Sequence, residues 1–173
     1  MLLPKAVLLA STLALFAPCQ AQDLPAATAQ PQASQFTVGN ATVRLWQENG
    51  TAKAALSRDG GRSWSPLQDP DHVLHFVHAQ YDPLVGELTM PGRLGASPSN
   101  RIFVVQFQTQ ILAEYRQVID KLGEVVGYIP EDAYLVRADR GVAAAMRGLP
   151  CVRWVGDLQV AFKLESQLHA VAA

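Results

Sequence analysis

The chain has 173 residues, room for one or two small domains. Hydrophobic residues make up 49% of it and charged residues 17%, a balance that excludes disorder by composition. At a formal net charge of -1 nothing suggests the clustered basic excess that a nucleic-acid footprint needs, so no nucleic-acid partner is expected.

Met1 to Lys5 is a short positive start, followed by the apolar run "AVLLASTLALFAP". That run has the length of a signal-peptide core and is too short for a membrane span. Cys19 and Ala21 supply the small residues of a cleavage site, so residues 1–21 read as a signal peptide and the chain as periplasmic or secreted from a bacterium. A lipoprotein signal ending at Cys19 fits less well, because Pro18 precedes it. Removal of the signal leaves no membrane span and one cysteine, Cys151, which sits among apolar residues in "LPCVRWV" and reads as a buried structural thiol. Residues 22–35, "QDLPAATAQPQASQ", have no periodicity and read as a flexible linker.

Residues 36–68 read as a small antiparallel β-meander. In "ATVRLWQ", Val43, Leu45 and Gln47 fall on one face and Thr42, Arg44 and Trp46 on the other. Asn49-Gly50 is the strongest two-residue hairpin signal, since both positions tolerate positive φ. "TAKAALS" returns as a second strand, and "RSWSPL" begins a third after Asp59-Gly60-Gly61.

Within that meander, Ser57, Asp59, Gly61 and Trp64 have the spacing S-x-D-x-G-x-x-W. It resembles the Asp-box of sialidases and other secreted sugar-active proteins. A structural role is available to each residue. Ser57 and Asp59 can bond turn N–H groups, Gly61 supplies positive φ, and Trp64 packs beneath the hairpin. A single copy cannot build a propeller, so the motif reads as a turn lock; the other reading is a surface that binds glycan or protein.

Residues 69–100 read as one strand, Val73 to Val77, and a connection rich in Pro and Gly. His72, His75 and His78 are spaced by three and on a helix could hold zinc. The Val, Leu, Phe and Val between them favour a strand, on which His75 points away from the other two. No metal and no other cofactor is therefore expected. No pair of carboxylates suggests glycoside hydrolysis: Glu131 and Asp132 belong to a turn, and Glu114 and Asp120 read as solvated helix surface.

From residue 101 to 164 the pattern is strand, helix, strand, strand, helix, strand. "RIFVVQF" is a nearly continuous apolar run and reads as a buried strand. Thr109 is placed to cap a helix whose apolar face is Leu112, Tyr115, Val118, Ile119 and Leu122. "EVVGYI" and "AYLVRA" form a strand pair about Pro130. Asp139 is placed to cap a second helix, with Val142, Ala145, Met146 and Leu149 on one face, and "VRWVGDL" closes the series. The predicted class is α+β, a ferredoxin-like β-α-β-β-α-β domain preceded by the small meander and followed by a tail, residues 165–173.

Three segments, "YDPLVGE" at Tyr81 to Glu87, "RIFVVQF" at Arg101 to Phe107 and "GYIPEDAYLVRADRGVAAAMRGLPCVRWVG" at Gly127 to Gly156, resemble the N-terminal prosegment-like region of secreted bacterial subtilisin-like serine peptidases. The likeness covers about Val73 to Leu164. It implies a domain that inhibits a peptidase domain, assists its folding, or both, acting in cis or in trans. It also implies docking through the exposed sheet face, with Tyr134, Arg137, Phe162 and Leu164 as contact residues, and a tail beginning near Val160 that lies in the peptidase cleft as an added strand. The Asp, His and Ser motifs of a subtilase catalytic domain do not occur in this sequence, so peptidase activity is not carried over and no catalytic residue is expected. A stand-alone inhibitor or chaperone and the amino-terminal piece of a peptidase remain alternatives.

Overall fold

A computed structural model describes residues 33–77, 79–86, 90, 94–130 and 132–163. The expected signal peptide, most of the linker, His78, Glu131, Leu164 and the tail 165–173 lie outside the described residues. No helix among the described residues is long and apolar enough to cross a membrane.

The first sheet is an antiparallel meander of β1 (Ser34–Val38), β2 (Ala41–Glu48), β3 (Thr51–Ser57) and β4 (Ser65–Pro66), in that order. Asn49 and Gly50 form a two-residue turn with φ of 51° and 78°, and Glu48 pairs with Thr51 across it. Positive φ at both central positions matches the twist of the flanking strands, which is why this dipeptide sets the register. The meander has one strand more than the sequence pattern suggested. Ser34 and Gln35, assigned to the linker, belong to β1 and pair with Leu45 and Arg44.

A short hairpin follows, β5 (Leu74–Phe76) with β6 (Ala79–Tyr81). The remaining strands are β7 (Ile102–Phe107), β8 (Glu124–Ile129), β9 (Ala133–Arg137) and β10 (Val152–Asp157), joined in the order β10-β7-β9-β8, with every pairing antiparallel. Helix α1 (Ala113–Ile119) connects β7 to β8, and α2 (Arg140–Met146) connects β9 to β10.

The predicted α+β class, with its ferredoxin-like domain, is corrected by this architecture. Among the described residues the chain is mostly β: ten strands in three antiparallel sheets, 42% strand against 15% helix, with two helices. The physical reason lies in helix length. Each helix spans seven residues, about two turns. The apolar periodicity extends past the helices: Leu122, placed on the first helical face, follows the end of α1 and is exposed.

Two such short helices leave much of the neighbouring sheet uncovered, and the meander supplies the rest. Val38, Ala41, Val43 and Leu56 from its inner face enter one core with Phe103, Val105, Phe107, Val136 and Val155 of the four-stranded sheet. Tyr115 and Ile119 from α1, and Ala143 and Met146 from α2, share that core. The meander is thus a layer of the same core.

The opposite face of the four-stranded sheet carries a second apolar cluster. Leu74, Phe76 and Tyr81 of the β5-β6 hairpin pack there against Val104, Ile129, Ala133, Leu135 and Leu158. Phe162, from a single 3-10 turn at Val160–Lys163, stacks on Phe76 with ring centres 4.0 Å apart. The backbone N–H of His75 donates to the Pro130 carbonyl, fastening the hairpin to the β8-β9 turn.

Candidate functional site

Two built clusters of polar side chains stand out, and both join segments far apart in sequence. The first begins with the Asp-box. The Ser57 hydroxyl donates to Asp59 Oδ1 and accepts the Gly61 N–H, each at 2.8 Å. Asp59 Oδ1 also accepts the N–H groups of Arg62 and Ser63 at 2.9 Å, and its other oxygen accepts the Ser63 hydroxyl. Gly61 adopts φ of 89°, and its carbonyl accepts the Trp64 indole N–H at 3.1 Å. The Ser63 hydroxyl, with the other donors, holds the Asp59 carboxyl far below the usual carboxylate range.

Arg58 projects from this turn toward α1 and donates from Nε and Nη2 to both oxygens of Glu114, at 2.8 and 3.2 Å. Glu114 retains 8% of its exposure. This corrects the reading of Glu114 as solvated helix surface: its charge is buried and paired with a residue 56 positions away. The Arg58 hydrogen bonds lower the Glu114 pKa, against the opposing effect of burial. Asp120 does lie at the surface, in an i,i+4 pair with Arg116.

The second cluster lies at the far sheet face. Arg153, on β10, donates from Nη1 and Nη2 to the two oxygens of Asp82 at 2.7 and 2.8 Å. The same Nη1 donates to Gln106 Oε1 at 2.9 Å, and Gln106 Nε2 donates to the His72 carbonyl at 2.8 Å. Gln106 is fully buried. Burial works to raise the Asp82 pKa, but the Arg153 guanidinium and the Leu84 N–H outweigh it and hold the carboxyl below its usual value. The neighbouring His72 is held below the usual imidazole range, first by burial and then by the Arg153 charge, and its Nδ1 has no hydrogen-bond partner among the described residues.

The residues named from sequence as partner contacts are not gathered onto one surface. Tyr134 faces the helix side of the sheet, edge-on to Phe107 and beneath the Arg116 guanidinium. Phe162 lies on the opposite side, turned inward over Phe76 and Tyr81. Arg137 is exposed and pairs with Glu124 at 2.6 Å. The sheet face expected to dock a partner is thus already covered by the β5-β6 hairpin and Phe162. Val160 to Lys163 is a packed turn, so no free tail begins at Val160.

Of the histidine trio, His72 is half-buried just before β5 and His75 sits on β5; among the described residues no group of three His, Cys, Asp or Glu side chains could hold a metal. Cys151 is free and fully buried, and burial raises its thiol pKa to about 11. Neither predicted helix cap forms. Leu112 occupies the N-cap of α1, while Thr109 is buried and bonded to the Tyr115 hydroxyl at 3.1 Å. Asp139 is the N-cap of α2, but its carboxylate pairs with Arg101 instead of the helix N–H groups.

Sequence reasoning missed both ion-pair clusters. The signal available for the second was the resemblance itself, because Asp82, Gln106 and Arg153 each belong to one of its three segments.

Among protein families, the model described as "Domain of unknown function (DUF8729)" matches residues 60–159, more than half of the chain. The chain belongs to that family. No curated protein and no solved structure matches it. The matched stretch runs from within the Asp-box to the end of the four-stranded sheet, and so contains Asp82, Gln106 and Arg153.

Proposed function

For this member of a family of unknown function, we propose a non-catalytic role: an exported domain that binds a subtilisin-like serine peptidase, as inhibitor or folding chaperone, in cis or in trans. One observation carries the reading. The three segments that resemble subtilase prosegments meet in a single part-buried joint, with Asp82 from the first, Gln106 from the second and Arg153 from the third.

The docking surface in this reading is the open edge of the sheet at β8, not the covered face. Among the described residues β8 pairs only with β9, and its outer backbone groups face no other strand there. Tyr128, on β8 itself, is 59% exposed, and Tyr134 and Arg137 lie on the adjoining β9.

The test is to titrate the full chain into a bacterial subtilisin-like peptidase, following cleavage of a chromogenic peptide. A parallel arm measures recovery of peptidase activity after denaturation, with and without the chain. Saturable inhibition or a raised refolding yield is expected, weakened by Tyr128→Ala and Arg137→Ala. A chain that does neither, across peptidases encoded beside it, overturns the reading.

A further inference from the structure

The meander presents one face to the core and the other away from both apolar clusters. Arg44 and Trp46 stand two residues apart on that outer face of β2, and Trp64 folds over it from the Asp-box turn. The Arg44 guanidinium lies 4.2 Å from the centre of the Trp64 ring. Arg44 is in register with Ala55, whose methyl group leaves the space above β3 open. A groove of about 470 Å³ results, lined by Ala33, Arg44, Trp46, Ala55 and Trp64. Sites for small ligands span roughly 300–1,000 Å³.

Among the described residues neither indole joins a core cluster. No acidic side chain among the described residues lines the groove. Lys53, opposite Trp46, adds a second positive charge at its margin but is paired with Asp69. Among the described residues no carboxylate or carbonyl accepts a hydrogen bond from the Arg44 side chain. Its planar N–H fork is thus held in place by an indole and left open to an anion.

We propose that this groove binds an acidic glycan, a chain of uronic-acid units. The apolar face of one sugar ring rests against Trp46, and its carboxylate meets the Arg44 fork. An arginine offers a carboxylate two parallel N–H donors, and stacking on Trp64 orients them before the ligand arrives. The inference is independent of the peptidase reading, because the groove is on the meander and the β8 edge is on another sheet.

The experiment is calorimetric titration of the full chain with oligogalacturonate and with its methyl ester, which keeps the ring and removes the charge. Saturable binding of the acid is expected. Arg44→Met should weaken it by about tenfold or more and leave the weaker binding of the ester unchanged. Trp46→Ala should abolish both, while Lys53→Ala changes acid binding less than Arg44→Met does. Arg44 is exposed, so Arg44→Met and Arg44→Lys test the idea without disturbing the core. Absence of saturable binding to the acid, equal affinity for acid and ester, or wild-type affinity in Arg44→Met overturns the proposal. A proline-rich peptide that binds the groove while the polyuronate does not overturns it too.

Discussion

Arg153 closes a two-point contact with Asp82, 71 positions earlier in the chain, and gives a further hydrogen bond to Gln106. Both charged side chains are largely withdrawn from solvent, at 11% and 19% exposure. Removing one partner of such a pair strands the other charge. Arg153→Met is therefore expected to cost on the order of 3 kcal/mol, read as a lower urea midpoint at unchanged slope. Arg153→Lys should lose most of the same stability, since an ammonium on a flexible stem does not serve both Asp82 oxygens and Gln106 in one plane. A lysine variant as stable as the wild type would show that charge alone suffices.

Stability should fall as the solution is acidified below about pH 4. Asp59, Asp82 and Glu114 all fold with their pKa values below the unfolded ones. A carboxyl of that kind contributes its full stability above the unfolded value and loses it as pH falls through the folded value. Asp59 is depressed furthest, so it should be the last to protonate, and the Asp-box turn should outlast the Arg58–Glu114 pair. Chemical denaturation between pH 7 and pH 2, repeated with Glu114→Gln, measures this; the variant should show a shallower loss with acid than the wild type.

Cys151 should resist modification in the folded protein. With the thiol near pKa 11, roughly one molecule in a thousand carries the thiolate at pH 8, and the side chain is fully buried. Labelling by a disulfide reagent should therefore proceed no faster than unfolding and accelerate in urea. Reaction at the rate of an unfolded peptide under native conditions would contradict its burial. Cys151→Ser should destabilise more than Cys151→Ala, because a hydroxyl placed there must find a hydrogen bond.

Gly50 should be the least replaceable residue of the β2-β3 hairpin. Its φ of 78° disfavours any side chain by about 1–2 kcal/mol. Gly50→Val should lower the melting temperature, whereas Asn49→Gly should leave it nearly unchanged. Differential scanning calorimetry on the two variants distinguishes a turn-specific effect from a general loss of hairpin propensity.

The parts of the fold that sequence made readable are those whose cause is local. Asn49-Gly50 specifies its own turn, and "RIFVVQF" declares a buried strand by being apolar at nearly every position. The Asp-box names the residues that bond to each other within eight positions. What stayed hidden depends on partners far along the chain. Glu114 looks like ordinary helix surface until Arg58 reaches it across 56 positions. Thr109 has the chemistry of a cap, but the Tyr115 hydroxyl takes it and the helix begins later.

β1 escaped notice because Ser34 to Thr37 offers too little apolar alternation and is set by pairing with β2. Of the hairpin over the far sheet face, β5 falls within the strand read at Val73 to Val77, but its partner β6 has only three residues, too few for a periodicity to emerge. Its effect on the docking reading is large, since it fills the surface that the resemblance leaves open. Class was misjudged for a related reason. Apolar spacing marks a helical face but not how many turns survive, and here the meander took over the covering that longer helices would have provided.

The stacking of Phe162 on Phe76 also has a mechanical meaning. Phe162 is anchored by that stack between the end of β10 and Lys163 in sequence. A pull from the carboxyl side loads the aromatic contact before it loads the β10-β7 ladder. Tension there would peel Phe162 away first, uncovering part of the far sheet face while the part-buried Arg153–Asp82 crosslink still holds.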